Sequence, residues 1–530
     1  MSDRARWFGV ALTVIAAATT TPASGYLVGP PASLEQLAAS ADVVCKATVV
    51  ADVPTNDKWF EPLMGFEVHE AQLRVVSVLK GPSSVKVLRF HHYAPSAAGT
   101  GMGSYQPQSY VFVTGRSYLV LAASGEGGTY RQLSKRQTMQ DDQGVLLAAD
   151  DKPHTGTTLT QAAWAELRAL LGGRPDDAVY AIREIDAMSG GHDSPLRDFE
   201  RGAALDAIKG LVLSTDVPVA SAAIGVFGAD SPYLDDRQAP YWLAGMGKGT
   251  ISGIGPLTAS PSPVSGVAVK ELSAAAGGGA SPALRALAIR ALGRANGVPA
   301  ATLAAWGGDA DPAVRSAAVL VSAQSSDHTW TYRGMTDGSP DVRRASALAM
   351  GFSQDAAFVP ELGKLLGDAT GTVRSAAALS LLSFAPDQAE AVLKQGLGTD
   401  YRPLFVNALA RKNPQPYLAL LGETIEKHSQ PAEWWGGMIP AGDSWSILFG
   451  YVKARPLAEL TSGKLDPALD SLERMKWFSS SEPRDLYALY LRRGMTTRAQ
   501  RFRAAAKKNI PFDMEPYFDM ADKSPSTYVP

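Results

Sequence analysis

Four times in the middle of this chain a capping residue precedes a proline or glycine, and an aliphatic residue and an arginine follow. The segments are Ser281-Pro282-Ala283-Leu284-Arg285, Asp311-Pro312-Ala313-Val314-Arg315, Ser339-Pro340-Asp341-Val342-Arg343 and Thr370-Gly371-Thr372-Val373-Arg374. Their arginines stand 30, 28 and 31 residues apart. A period of this size inside one chain requires a supersecondary unit that buries its apolar face only against the next copy, which is a solenoid. Each segment reads as a helix start. The oxygens of Ser281, Asp311, Ser339 and Thr370 can cap free N–H groups, and a proline in the first turn forfeits nothing. Behind them Leu284, Leu287, Ala288, Ala291 and Leu292, or Val314, Ala317, Ala318 and Val321, fall on one helical face. Shorter apolar stretches at Val298–Trp306 and Ala356–Leu366 predict a second helix in each repeat.

The Asp-x-x-Pro-x-Val-Arg-x-x-Ala-Ala pattern, fullest from Asp309 to Ala318, resembles the short HEAT-like repeats first noticed in phycobilin lyases. The resemblance covers residues 267–411, with degenerate copies in 156–230. It implies an α-solenoid with an extended protein-binding surface and no catalysis. It further implies that Arg285, Arg315, Arg343 and Arg374, with Asp309, Asp311, Asp337 and Asp368, form a structural ladder between repeats, with a ligand-binding ladder as the alternative.

Residues 26–155 follow a different rule. Apolar and polar residues alternate at Asp42–Val53, Ala71–Leu79, Val85–His91, Ser109–Thr114 and Tyr118–Ala122, separated by Gly, Pro and Ser clusters. Five or six short strands need protected edges, so a small barrel-like β-domain is expected. Ser33 should cap a short helix before it. The phrases Ala41-Asp42-Val43-Val44, Val75 to Gly81 and Gly115 to Leu121 resemble netrin-like and metalloproteinase-inhibitor modules, which are OB-type barrels. Those inhibitors chelate a protease zinc through an N-terminal cysteine. The expected processed start here is Tyr26, so the resemblance implies the fold, with protease inhibition as an alternative function. His91-His92-Tyr93 is the one local hint of a metal. Neighbours on a strand point to opposite faces, so this pair cannot hold one ion, and both histidines read as strand-surface residues. No metal ligand set and no cofactor are expected. Gly99 to Gly103 reads as a flexible loop.

The remaining segments bound the function. Arg4 and Arg6, the apolar run Trp7–Ala18 and Ala23-Ser24-Gly25 form a secretory signal over residues 1–25, with a core shorter than the roughly 20 residues that span a membrane. Export is therefore expected, to the periplasm or the exterior. The lone Cys45 excludes an intramolecular disulfide, which suits a bacterial exported protein, and it reads as a core residue. With 50 basic and 52 acidic residues the chain has no excess charge to attract a nucleic acid. Residues 231–266 form a Gly/Pro/Ser-rich excursion. Its Gly247-Lys248 lacks the P-loop glycine, which is Trp242 here, and the hydroxyl residue, which is Gly249. Residues 412–530 are expected to be a helical cap, whose Trp434, Trp435 and Trp445 are candidate binding aromatics. No HExxH, no G-x-S-x-G and only seven scattered histidines argue against an enzyme, though an unrecognised active site stays open as an alternative. The leading expectation is an exported, non-enzymatic scaffold for a protein or peptide partner.

Overall fold

The alternation at Asp42–Val53 becomes strand β1 (Val43–Pro54), which sends Val43, Cys45, Ala47 and Val49 to one side and buries all four. It opens a sheet with β2 (Phe66–Lys80), β3 (Val87–Pro95), β4 (Ser117–Ser124), β5 (Tyr130–Arg131) and β6 (Val145–Leu147) in this computed structural model. The structure describes residues 32–63, 65–96, 107–134, 144–191, 196–228, 266–293, 298–323, 327–430, 439–475, 481–510 and 513–528. Residues 1–25, expected to be a signal, Gly99–Gly103, expected to be a loop, and, Gly266 apart, residues 231–266, expected to be an excursion, lie outside these residues. Two compact units divide between Ile208 and Lys209, inside the stretch that the sequence assigns to degenerate repeats.

In the first unit β1 pairs with both β2 and β4, and the sheet order β1-β2-β3-β5-β4 closes on itself. All these pairings are antiparallel except β3 with β5. A closed ring leaves β1 without a free edge and agrees with an OB-type barrel. The strand expected at Ser109–Thr114 is absent, and Ser109 makes only an isolated bridge to Tyr93. Gly81 closes the β2 turn at φ +103°, where a Cβ would stand 2.8 Å from the Asp42 carbonyl oxygen, so glycine is required there. Helix α1 (Leu34–Ser40) opens with a capping box between Ser33 and Gln36, as the sequence predicts. Cys45 is buried, and burial pushes its thiol up to about 12, which makes it unreactive.

Outside the barrel Lys46 is sealed under helix α2 (Leu159–Leu170), with α3 (Pro175–Met188) packed on α2. Its ammonium lies 2.6 Å from Glu166 Oε1 and 2.8 Å from Asp150 Oδ1. Glu166 Oε2 also accepts the Ala149 N–H. A buried charge tolerates its position only while paired.

The second unit stacks α4 (Val217–Gly228), α5 (Val269–Ala276), α6 (Pro282–Leu292), α7 (Ala300–Gly307), α8 (Pro312–Ser322), α9 (Thr329–Gly334), α10 (Pro340–Ser353), α11 (Val359–Leu365), α12 (Gly371–Leu381), α13 (Pro386–Gly396) and α14 (Arg402–Lys412). The four helices that begin at the repeated motif, α6, α8, α10 and α12, pack directly on one another. The shorter α7, α9 and α11 lie against them. Alanines at the contacts let the backbones approach, and the long helices are buried on more than the single face the pattern implies. Val406 and Ala410 of α14 then join a second core with α15 (Leu418–Lys427), α16 (Pro440–Lys453), α17 (Asp466–Glu473), α18 (Ser481–Arg492), α19 (Thr496–Asn509) and α20 (Glu515–Lys523), so the last repeat is covered rather than exposed.

Replacing Lys46 by Met should cost about 3–5 kcal/mol, because Glu166 is left buried and unpaired. The double variant Lys46→Met/Glu166→Gln should recover much of that loss in denaturant unfolding, since a neutral amide keeps the Ala149 bond without stranding a charge. Equal stabilities of the single and double variants would contradict this reading.

Candidate functional site

The repeated arginines and aspartates form one cross-repeat ladder. Arg315 of α8 donates to its own turn, Nη1 to the Asp309 and Ala310 carbonyls at 2.9 Å each. It also reaches the next repeat, with Nε and Nη2 both 2.9 Å from the two Asp337 oxygens. Arg343 repeats this onto Asp368 at 2.8 and 3.2 Å, and Arg285 meets Asp309 at 2.6 Å. Each acceptor aspartate in turn takes the backbone N–H two residues on: Asp309 from Asp311, Asp337 from Ser339, Asp368 from Thr370. Ser281 and Asp311 cap their helices by side chain as expected, but Ser339 and Thr370 make no side-chain cap bond. Arg374 bonds the Asp368 and Ala369 carbonyls and meets Tyr401 at the start of α14. The arginine hydrogen bonds hold the carboxyls of Asp309, Asp337 and Asp368 below their ordinary value.

Beside the ladder, α6, α8 and α10 leave a depression of about 260 Å³ lined by Arg290, Asp311, Ala313, Ser316, Asp341 and Arg344 among others. Both charge signs meet there. The Ser316 hydroxyl is buried with no hydrogen-bond partner, an available donor and acceptor at its wall.

Trp434 and Trp435 lie outside the described residues. Trp445 is buried, stacked on Phe449 at 4.7 Å inside the C-terminal core, so it is a core residue and not a binding platform. This is the expected helical cap, and the alternative of a binding aromatic does not hold for Trp445.

The β-barrel corrects the reading of His91 and His92 as strand-surface residues: both are buried. They do face opposite ways. Outside the barrel, His91 Nδ1 lies 2.7 Å from Asp57 Oδ2 and Nε2 lies 3.0 Å from Glu70 Oε2, with Arg89 on the same Glu70. Inside, His92 packs between Phe90 and Phe112. Its Nε2 is 3.1 Å from Asp52 Oδ1, and Asp52 Oδ2 is 3.4 Å from Nδ1 of His69, the residue paired with His92 across β2 and β3. Burial works to raise the Asp52 carboxyl, but its contacts with His92 and His69 outweigh that and hold it low. One ligand atom from each of Asp52, His69 and His92 lies within 4.8 Å of the others. Ser77 and His154 form a hydrogen-bonded pair at 2.6 Å, but among the described residues no carboxylate hydrogen-bonds His154 as a catalytic dyad would need.

Residues 330–413 match the family model of HEAT repeats. Comparison with curated proteins gave no match. Similar solved structures include E. coli YibA, at 16% identity over 51% of this chain and 92% of that one, with a TM-score of 0.27. An engineered protein matches at 15% identity over 68% and 98%, with a TM-score of 0.26. A chain of the Pds5–Scc1 complex, described for its implications for cohesin function, matches at 10% identity over 70% and 74%, with a TM-score of 0.26. The match at 330–413 and the in-phase helices give a β-domain followed by HEAT-like repeats. Among the described residues no helix is long and apolar enough to cross a membrane.

Arg315→Ala and Arg343→Ala should each destabilise the second unit by about 1–3 kcal/mol, the cost of stranding a partly buried acceptor. The same ladder sets an acid limit. Carboxylates held low in the fold stabilise it above their unfolded value of about 4, and that contribution disappears as pH falls through the folded value. Thermal unfolding should therefore show a loss of stability below about pH 4 that is smaller in Arg343→Ala. Unchanged melting in both variants would contradict a structural ladder.

Proposed function

We propose that this chain is an exported, non-enzymatic scaffold whose HEAT-like repeats bind a protein or peptide. The observation that carries the proposal is the depression across α6, α8 and α10. Three consecutive repeats supply its wall, both charge signs line it, and the Ser316 hydroxyl is buried there without a partner. Mixed charge and an open hydrogen-bonding group suit a polypeptide, which offers both signs and a backbone, better than a polyanion. The balance of 50 basic against 52 acidic residues points the same way. The arginine ladder fixes the spacing of the three helices, so the surface is set before a partner arrives and binding loses little to ordering. Export rests on the Arg4/Arg6 n-region, the Trp7–Ala18 run and Ala23-Ser24-Gly25.

Crosslinking mass spectrometry in the native host should place partner crosslinks on residues flanking the depression. The double variant Ala313→Trp/Asp341→Lys, which fills it and reverses one exposed charge, should reduce partner recovery by at least about tenfold, or 1.4 kcal/mol, while melting stays near that of the parent. Recovery that survives this variant and follows residues 26–208 alone would move the function to the β-domain. N-terminal sequencing of exported material should begin at Tyr26, and a retained Met1 would contradict export.

A further inference from the structure

We propose that Asp52, His69 and His92 bind one divalent transition-metal ion of the zinc class at one end of the β-barrel. The first observation is how Asp52 comes to point inward. In β1 the core residues are Val43, Cys45, Ala47 and Val49, so strict alternation would turn residue 52 outward. The β1–β2 register slips between Val49 and Ala51, leaving Val50 as an extra, exposed residue. Beyond this bulge Asp52 pairs with the core residue Ala71, and its carboxylate enters the barrel end. Bulges that re-aim a side chain are a feature of functional sites.

The second observation is hydrogen bonding that protein atoms alone leave unbalanced. His92 Nδ1 lies 2.9 Å from the Tyr93 carbonyl, which can only accept, so Nδ1 carries a proton. A neutral ring held this way presents its Nε2 lone pair to the Asp52 carboxylate at 3.1 Å, two acceptors face to face. A second proton on His92 would relieve that contact, yet the buried His69 Nδ1, 3.4 Å from Asp52 Oδ2, still makes no well-aligned hydrogen bond. A single cation among the three atoms satisfies both nitrogens and the carboxylate together.

The third observation is geometric. Zinc–ligand bonds of about 2.0–2.1 Å in a tetrahedron place ligand atoms roughly 3.3 Å apart. Asp52 Oδ1 is 3.1 Å from His92 Nε2 and its other oxygen, Oδ2, is 3.4 Å from His69 Nδ1, and one ligand atom from each residue can be chosen so that no pair exceeds 4.8 Å. Two imidazoles and one carboxylate suit zinc and its neighbours better than calcium or magnesium. The outer contacts also fit. Histidines that hold a metal direct the other ring nitrogen to a carbonyl or carboxylate, and here the Tyr93 carbonyl serves His92 while Glu67 stands 3.8 Å from His69 Nε2. The fourth ligand position is left to water, on the side of His69, the most exposed of the three. Bound there, the ion would tie β1, β2 and β3 together at one point.

The test uses tag-free full-length protein, stripped with chelator and titrated with Zn²⁺ by calorimetry and with Co²⁺ by visible spectroscopy. The expected result is one ion per chain, with the visible bands of four-coordinate Co²⁺. His69→Gln alters a partly exposed side chain and should leave the circular dichroism unchanged while weakening Zn²⁺ by more than about a hundredfold. His154→Gln and His328→Gln should bind as the parent does. Binding that is absent, or equal in the parent and a folded His69→Gln, would overturn the proposal and leave Asp52 and His92 as an ion pair.

Discussion

The second unit depends on one recurring contact, the arginine that binds its own helix-start turn and the aspartate of the following repeat. Helix packing by small residues brings backbones close but sets register weakly, since an alanine face slides on another with little change in contact. The fork of Arg315 on Asp337, repeated by Arg343 on Asp368, supplies direction as well as attraction. The same aspartates fold the turn that starts the next helix. Local capping and long-range spacing therefore share one carboxylate, and this is why the motif is dense and recurs in phase. Where the array ends, Arg374 meets Tyr401 and the C-terminal helices build a different core, with Arg498 and Arg503 each gathering carboxylates from neighbouring helices.

The first unit solves the opposite problem. Its strands are short, and closure of β1 onto both β2 and β4 removes the edge that an open sheet would expose. Polar groups are nonetheless drawn inward: Lys46 beneath α2, and Asp52, His69 and His92 at the barrel end. Each needs a compensating charge. Lys46 has two carboxylates within reach, whereas the histidine cluster leaves His69 Nδ1 without a hydrogen bond.

What was legible in the sequence follows the range of the interactions. The helix starts at Pro282, Pro312, Pro340 and Gly371 were readable because cap, proline and aliphatic stripe are local signals. The β-domain was readable from alternation, and the arginine ladder from its period. The bulge at Val50 has no local signature, so the inward turn of Asp52 could not be read, nor its meeting with His69 across the β1–β2 register. Reasoning from adjacency rightly separated His91 from His92 but could not supply His69, which only strand pairing brings beside His92. Trp445 went with the expected cap rather than with the alternative of a binding aromatic, since aromatic density marks cores and binding surfaces alike.

Hydrogen exchange followed by mass spectrometry, comparing the parent with Arg343→Ala under native conditions, tests the central claim that the ladder joins the repeats into one cooperative body. Loss of the fork should lower protection on both sides of the broken rung, in Pro340–Ser353 and Gly371–Leu381 together, and in the turn around Asp368. Loss of protection confined to Pro340–Ser353, with Gly371–Leu381 unchanged, would show that the repeats hold their places by packing alone.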